Sequence, residues 1–85
     1  MKIEELKQGD EIIDVAFPHI RIYKYCCPHP LNPKYQILLD ENKDPFKIFN
    51  QKLQIILDKE LTHSSAKSLL IEAHKQAIRD INEFL

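Results

Sequence analysis

Two kinds of hydrophobic spacing divide the chain near residue 45. Before this point, three short runs alternate apolar and polar side chains, which is the period of a half-buried β-strand. After it, apolar residues recur at intervals of three and four, the period of an amphipathic helix. The pattern therefore predicts an α+β fold in which an antiparallel sheet precedes two helices.

The predicted sheet has three strands, at about 11–17, 20–26 and 35–39. Gln8-Gly9-Asp10 and the proline-rich segment 28–33 are turn and loop signals at the ends of these strands. Alternation along the second strand places Ile20 and Ile22 on one face. The opposite face of that strand carries His19, Arg21, Tyr23 and Tyr25.

We predict helices at about 45–60 and 64–84. Asp44-Pro45 fits an N-cap followed by a first-turn proline, and Thr62, Ser64 or Ser65 could cap the second helix. The short connection predicts an antiparallel helical hairpin that covers one sheet face and leaves the other open. The apolar faces would be Phe49, Leu53, Ile56, Leu57 and Leu61, then Ala66, Leu70, Ala73, Ala77, Ile81 and Phe84.

Composition describes a small soluble domain, 1–85, with one core. The chain has 85 residues, 44% of them apolar and 29% charged, which is ordinary for a globular protein. No apolar run approaches the roughly 20 residues of a membrane span, and the N-terminus has no apolar signal core. We therefore expect a cytoplasmic protein with no membrane partner, in which both cysteines are reduced.

Glycine is almost absent, and this excludes several kinds of active site. Gly9 is the only glycine, whereas phosphate-binding loops and dinucleotide turns need several. A core this small also leaves little room for a deep catalytic pocket. We therefore predict that the protein is not an enzyme and binds no cofactor.

A basic and aromatic segment at 18–35 is the first candidate site. It contains no carboxylate, although the whole chain has a net charge of −1. Aromatic rings stack on bases and cationic side chains bind phosphates, so a weak nucleic-acid or anion site is one interpretation. Tyrosine and lysine are also common on ordinary strands, which is the alternative. The candidate binding residues are His19, Arg21, Tyr23, Lys24, Tyr25 and Lys34.

Cys26, Cys27 and His29 form the second candidate, a metal or thiol site. Thiolate and imidazole are good zinc ligands, and a Cys–His pair can perform nucleophilic chemistry. Adjacent strand residues point to opposite faces, however, so the two sulfurs should not converge on one ion. We therefore predict no metal site and keep these residues as an alternative.

The helices carry more apolar positions than one narrow stripe needs. Ile48, Ile55, Ile71 and Ile78 flank the main apolar faces, which predicts a second contact surface. The leading hypothesis is an accessory domain that acts by protein–protein contact, either with another protein or as a homo-oligomer. The contact surface would combine the hairpin at 19–35 with these flanking helix residues.

Overall fold

The computed structural model describes residues 1–84 and has a four-stranded antiparallel sheet with two α-helices. The strands lie side by side in chain order, β1-β2-β3-β4, so every strand pairs with its sequence neighbours. A short 3₁₀ turn, Ile3–Glu5, precedes the sheet. The elements are β1 Glu11–Ala16, β2 His19–Pro28, β3 Tyr35–Leu39, β4 Pro45–Phe49, α1 Asn50–Asp58 and α2 His63–Phe84.

The fourth strand corrects the prediction of three strands and of a helix beginning at residue 45. Asp40 organises a turn, because its carboxylate accepts hydrogen bonds from the backbone N–H groups of Asn42 and Asp44. The turn sends residues 45–49 back along β3. This segment also alternates, and Ile48 enters the core as a strand residue. The helix therefore begins five residues later, at Asn50.

The core lies between one face of the sheet and α1. Because paired residues in neighbouring strands share a face, the registers place the buried strand residues on a single side of the sheet. The buried helix residues include Leu53 and Ile56, which the helical spacing predicted. The core cluster is Ile12, Tyr25, Leu38, Ile48, Leu53, Ile56 and Leu57.

The second helix packs on the opposite face. Nε2 of His63 lies 2.6 Å from a carboxylate oxygen of Glu11, which alternates with the core residue Ile12 and points the other way. The main strand contacts of α2 are with β1 and β2, and those of α1 are with β1 and β4. The predicted helical hairpin is therefore not confirmed, since each helix uses its own side of the sheet.

The start of α2 follows the predicted capping signals. The backbone N–H of Ser65 donates to Oγ1 of Thr62, and the N–H of Thr62 donates to Oγ of Ser65. This reciprocal pair satisfies donors that a helix start leaves free. Ala66, one turn later, has no exposed surface, so the small side chain lets α2 approach the sheet closely.

The molecule is elongated because α2 continues past the turn that joins β1 to β2. His74 lies against Phe17 beside that turn, and the helix continues to Phe84, about 15 Å farther along its axis. The Cα radius of gyration is 15.3 Å, above the roughly 12 Å of a compact chain of this length. The principal extents are 52 × 24 × 22 Å. The later turns of α2 therefore project past the sheet.

None of the helices within residues 1–84 is both long and apolar enough to cross a membrane.

Candidate functional site

The most exposed apolar surface lies on α2. The large apolar side chains of α2 become more exposed along the helix, from Leu69 at 50% to Phe84 at 95%. We name the exposed set Leu69, Ile71, Ile78, Ile81 and Phe84 the α2 apolar stripe; Ile71, Ile78 and Ile81 follow one side of the helix, whereas Leu69 lies on the other side. Scattered apolar residues on a surface are ordinary, but a run along a single helix is typical of a contact surface.

The four flanking isoleucines differ in how far they are buried. Ile48 belongs to β4 rather than to a helix, and it is buried in the core. Ile55 on α1 and Ile71 and Ile78 on α2 are each more than half exposed. The sheet therefore does not use the extra apolar positions of the helices, and these three side chains remain at the surface of the chain.

The predicted basic and aromatic residues are divided between the two faces. His19, Arg21, Tyr23 and Tyr25 share one face, as the alternation predicted, but it is the face of the sheet that carries the core, while Lys24 points to the α2 face. Tyr23 packs at the edge of the core, with its ring centre 5.2 Å from that of Phe46. Burial, together with the nearby Asp14 carboxylate, raises its pKa. The strand therefore does not present these side chains as one surface. Lys34, exposed just before β3, lies elsewhere.

Tyr25 is a structural residue of the core. Its hydroxyl donates to Oε1 of Gln36 over 2.7 Å, and Nε2 of Gln36 donates to Oδ1 of Asn50 over 3.0 Å. The amide of Asn50 in turn donates to the carbonyl of Pro33, which fastens the proline-rich loop to the start of α1. Burial raises the pKa of Tyr25, because the phenolate would lose its hydration.

A β-bulge interrupts the pairing of β2 at the two cysteines. The pairing of β2 with β3 skips from Tyr25 to Cys27, so Cys26 is the extra residue. A hydrogen bond with Cys26 raises the pKa of the exposed Cys27 thiol, with smaller effects from desolvation and from the Cys26 charge. Both thiols line the rim of a cavity of about 610 Å³ that also contacts Gln36 and Gln54.

His29, His63 and His74 each contact another part of the fold. Nδ1 of His29 accepts hydrogen bonds from the backbone N–H groups of Leu31 and Asn32, which orders the loop. His74 lies against Phe17, with ring centres 5.0 Å apart. Across residues 1–84, the side chains of His, Cys, Asp and Glu form no group of three that could hold a metal ion.

An aromatic pair beside exposed lysines was missed in the sequence. Tyr35 and Phe49 face each other across β3 and β4 with ring centres 4.4 Å apart and planes inclined by 29°. Nζ of Lys47 lies 4.8 Å from the centre of the Tyr35 ring. We name Tyr35, Phe49, Lys34, Lys47 and Lys52 the aromatic–lysine corner. The alternation at 45–49 could have indicated a fourth strand carrying Phe49. Asp44-Pro45 favours a helix start at the same place, so the sequence alone predicts a helix there.

Comparison with known proteins gives no relative: the chain matches no protein-family model, no curated protein and no solved structure. The functional argument therefore depends on the geometry of the chain itself.

Proposed function

We propose that this protein is a small, non-enzymatic interaction domain whose α2 apolar stripe binds a second copy of the chain. One observation carries the proposal: α2 continues its apolar side past the end of the sheet, where nothing in the described chain covers it. Ile78, Ile81 and Phe84 lie on this projecting part and are 59%, 59% and 95% exposed.

The exposure of these side chains has a thermodynamic cost that association would remove. Burying apolar surface contributes about 25 cal/mol per Å², so covering several large side chains contributes several kcal/mol before the entropy of association is subtracted. A helix with the same apolar stripe is the simplest complement, because two such helices can interlock their side chains along their length. Self-pairing also needs no partner of opposite charge.

Electrostatics allow two copies to meet. The net charge of −1 means that the copies repel each other weakly over long distances. The projecting half of α2 carries both signs, with Lys75 and Arg79 near Asp80 and Glu83. A second helix can therefore adjust its register so that opposite charges are adjacent at the rim of the contact.

The solution mass of the purified protein tests this proposal. We expect light scattering coupled to gel filtration to give a dimer at high concentration, with dissociation on dilution. The association should be moderate, because stable specific complexes usually bury about 1,200 Å² or more in total, and the stripe is narrow.

Variants locate the contact. Ile78→Asp with Ile81→Asp should abolish the dimer, because a charge would be desolvated at its centre. The matched control is Leu31→Asp, which changes an exposed leucine in the loop and should leave the dimer intact. A monomer at every concentration, or a dimer that the α2 variant does not affect, would contradict the proposal.

A further inference from the structure

The aromatic–lysine corner has an exposed ring between two hollows. Phe49 is 55% exposed and stacks on Tyr35 through only one of its two ring faces. A hollow of about 430 Å³ lies beside it, lined by Lys34, Phe49, Asn50 and Gln51. A second hollow, of about 410 Å³, includes Lys47, Phe49 and Lys52 in its lining. Phe49 is thus an aromatic ridge with a cationic side chain available on each side.

The charge around this ridge is mostly positive. Residues 18–39 and 45–57 contain lysine and arginine but no aspartate or glutamate, so the net charge of −1 comes from other segments. Asp14 is the one carboxylate in the lining of the two hollows, as far as residues 1–84 show. Nζ of Lys59 lies 3.5 Å from this carboxylate and partly neutralises it. An anion that approaches Phe49 therefore meets little repulsion.

Asn50 and Gln51 add hydrogen-bonding groups at the edge of the first hollow. The side chain of Asn50 already holds Gln36 and the loop carbonyl of Pro33, which fixes its position. Gln51 is exposed at the start of α1. Three kinds of group therefore surround one hollow. An aromatic face can stack on a base, a lysine can bind a phosphate, and an amide can bond the edge of a base.

We propose that the aromatic–lysine corner binds single-stranded nucleic acid, with a base stacked on Phe49 and the flanking phosphates near Lys34, Lys47 and Lys52. A single strand is favoured over a duplex because only an unpaired base can place its face on an exposed side chain. A chain of nucleotides is favoured over a free nucleotide, because the lysines lie on two sides of the ring and suit successive phosphates. The corner is built mainly on β3, β4 and the start of α1, whereas α2 contacts mainly β1 and β2, and the inference does not depend on self-association.

Fluorescence anisotropy with a labelled 20-nucleotide oligothymidylate tests the inference. Three phosphate contacts predict weak binding, with a Kd on the order of 10 µM at low salt. They also predict that log K falls against log salt with a slope of about −2, since each phosphate contact to a single strand contributes about 0.7. Replacement of Lys34 or Lys52 by alanine should each flatten the slope by about 0.7.

Phe49 provides the sharper variant. Phe49→Leu keeps an apolar side chain on the fold but removes the stacking face, and we expect affinity to fall about 5- to 150-fold. Phe49→Tyr should bind like the wild type, which separates stacking from a general loss of structure. The controls are Phe84→Leu and Lys75→Ala, the same residue types on α2, which should leave binding unchanged. Circular dichroism confirms that each variant is folded.

Several results would overturn the inference. These are no detectable binding at 100 µM protein and low salt, equal affinity for a duplex of the same length, and no effect of Phe49→Leu. Thymidine monophosphate that competes as strongly as the oligonucleotide, nucleotide for nucleotide, would identify a free-nucleotide pocket instead and would also overturn it. Self-association is measured separately by light scattering, so failure of either proposal leaves the other testable.

Discussion

The two helices of this protein use their apolar residues in opposite ways. α1 is nine residues long and buries Leu53, Ile56 and Leu57 in one core. α2 is 22 residues long, and Ala66 is its one fully covered residue among those described. The larger apolar side chains of α2 are at least half exposed at several positions along its length.

The buried apolar residues of α1 stabilise the fold, whereas the exposed apolar residues of α2 are available for binding. α1 completes a packed layer through Leu53, Ile56 and Leu57, and Ile55 is the one large apolar side chain of this helix that is more than half exposed. The sheet-facing side of α2 includes Ala66, which is buried, and Leu70, Ala73 and Ala77, which are partly buried, whereas the members of the α2 apolar stripe are at least half exposed. Under the proposal of self-association, the exposed apolar residues of α2 are the ones that contact the second copy.

The largest expected effect is on the free energy of unfolding, and two matched leucine substitutions measure it. Leu53 on α1 has no exposed surface, so Leu53→Ala should lower the free energy of unfolding by about 2–5 kcal/mol. Leu69 on α2 is 50% exposed, and Leu69→Ala should change it by less than about 0.5 kcal/mol. Urea unfolding of dilute protein measures both. If both substitutions lowered the free energy of unfolding equally, the two helices would not differ in how much their apolar side chains contribute to stability.

A smaller effect is expected from the hydrogen-bonded chain beneath α1. Tyr25→Phe removes the donor to Gln36 and leaves a buried amide oxygen unpaired, which should cost about 1–3 kcal/mol. The pKa of Tyr25 is raised in the folded state, so the folded protein retains the phenolic proton to higher pH than the unfolded chain does. The stability that Tyr25 contributes should therefore be complete below about pH 10 and decline as the pH rises further.

Chemical denaturation at a series of pH values checks this prediction. The difference between the wild type and Tyr25→Phe should be constant at neutral pH and should narrow in alkaline solution. Tyr35→Phe is the matched control, since the Tyr35 ring lies outside the core cluster. A difference that stays constant up to pH 11 would contradict the role assigned to burial.

The smallest expected effect concerns reactivity rather than stability. The hydrogen bond with Cys26 raises the pKa of Cys27, so less thiolate forms at pH 7.5. Alkylation of Cys27 should therefore be slow for an exposed cysteine. Cys26→Ala should accelerate iodoacetamide labelling of Cys27 a few-fold, as measured by mass spectrometry. The rate should also rise more steeply above pH 8.5 in the wild type than in the variant. An unchanged rate would mean that the bulge does not couple the two thiols.

Local patterns predicted most of the secondary structure but not how the helices are arranged. Alternation identified the first three strands, and the buried residues Leu53, Ile56 and Leu57 follow the helical period. Asp44-Pro45 predicts a helix start, because it matches an N-cap and a first-turn proline, but it begins β4 instead. The deciding interaction is the turn made by Asp40, whose side chain bonds the backbone of residues two and four positions later.

The candidate sites depended on contacts that sequence spacing does not encode. Tyr25 looked like an exposed strand tyrosine, but the register places it opposite Leu38 in the core. Tyr35 and Phe49 are 14 positions apart and become neighbours only through the hairpin of β3 and β4. The sequence shows that the helices have more isoleucines than one stripe needs. Whether these side chains are buried or exposed depends on where the sheet ends, which the sequence does not show.

The chain order of the sheet has a kinetic consequence. Each strand pairs with its immediate neighbour along the chain, so the sheet can assemble from successive hairpins that close short loops. α2 instead contacts β1, from which it is separated by three strands and α1, and its docking closes the longest loop. We therefore expect the sheet and α1 to form first and α2 to dock last. During that interval the undocked helix can reach the sheet of another molecule, which makes exchange of α2 between copies the most accessible route to a swapped dimer.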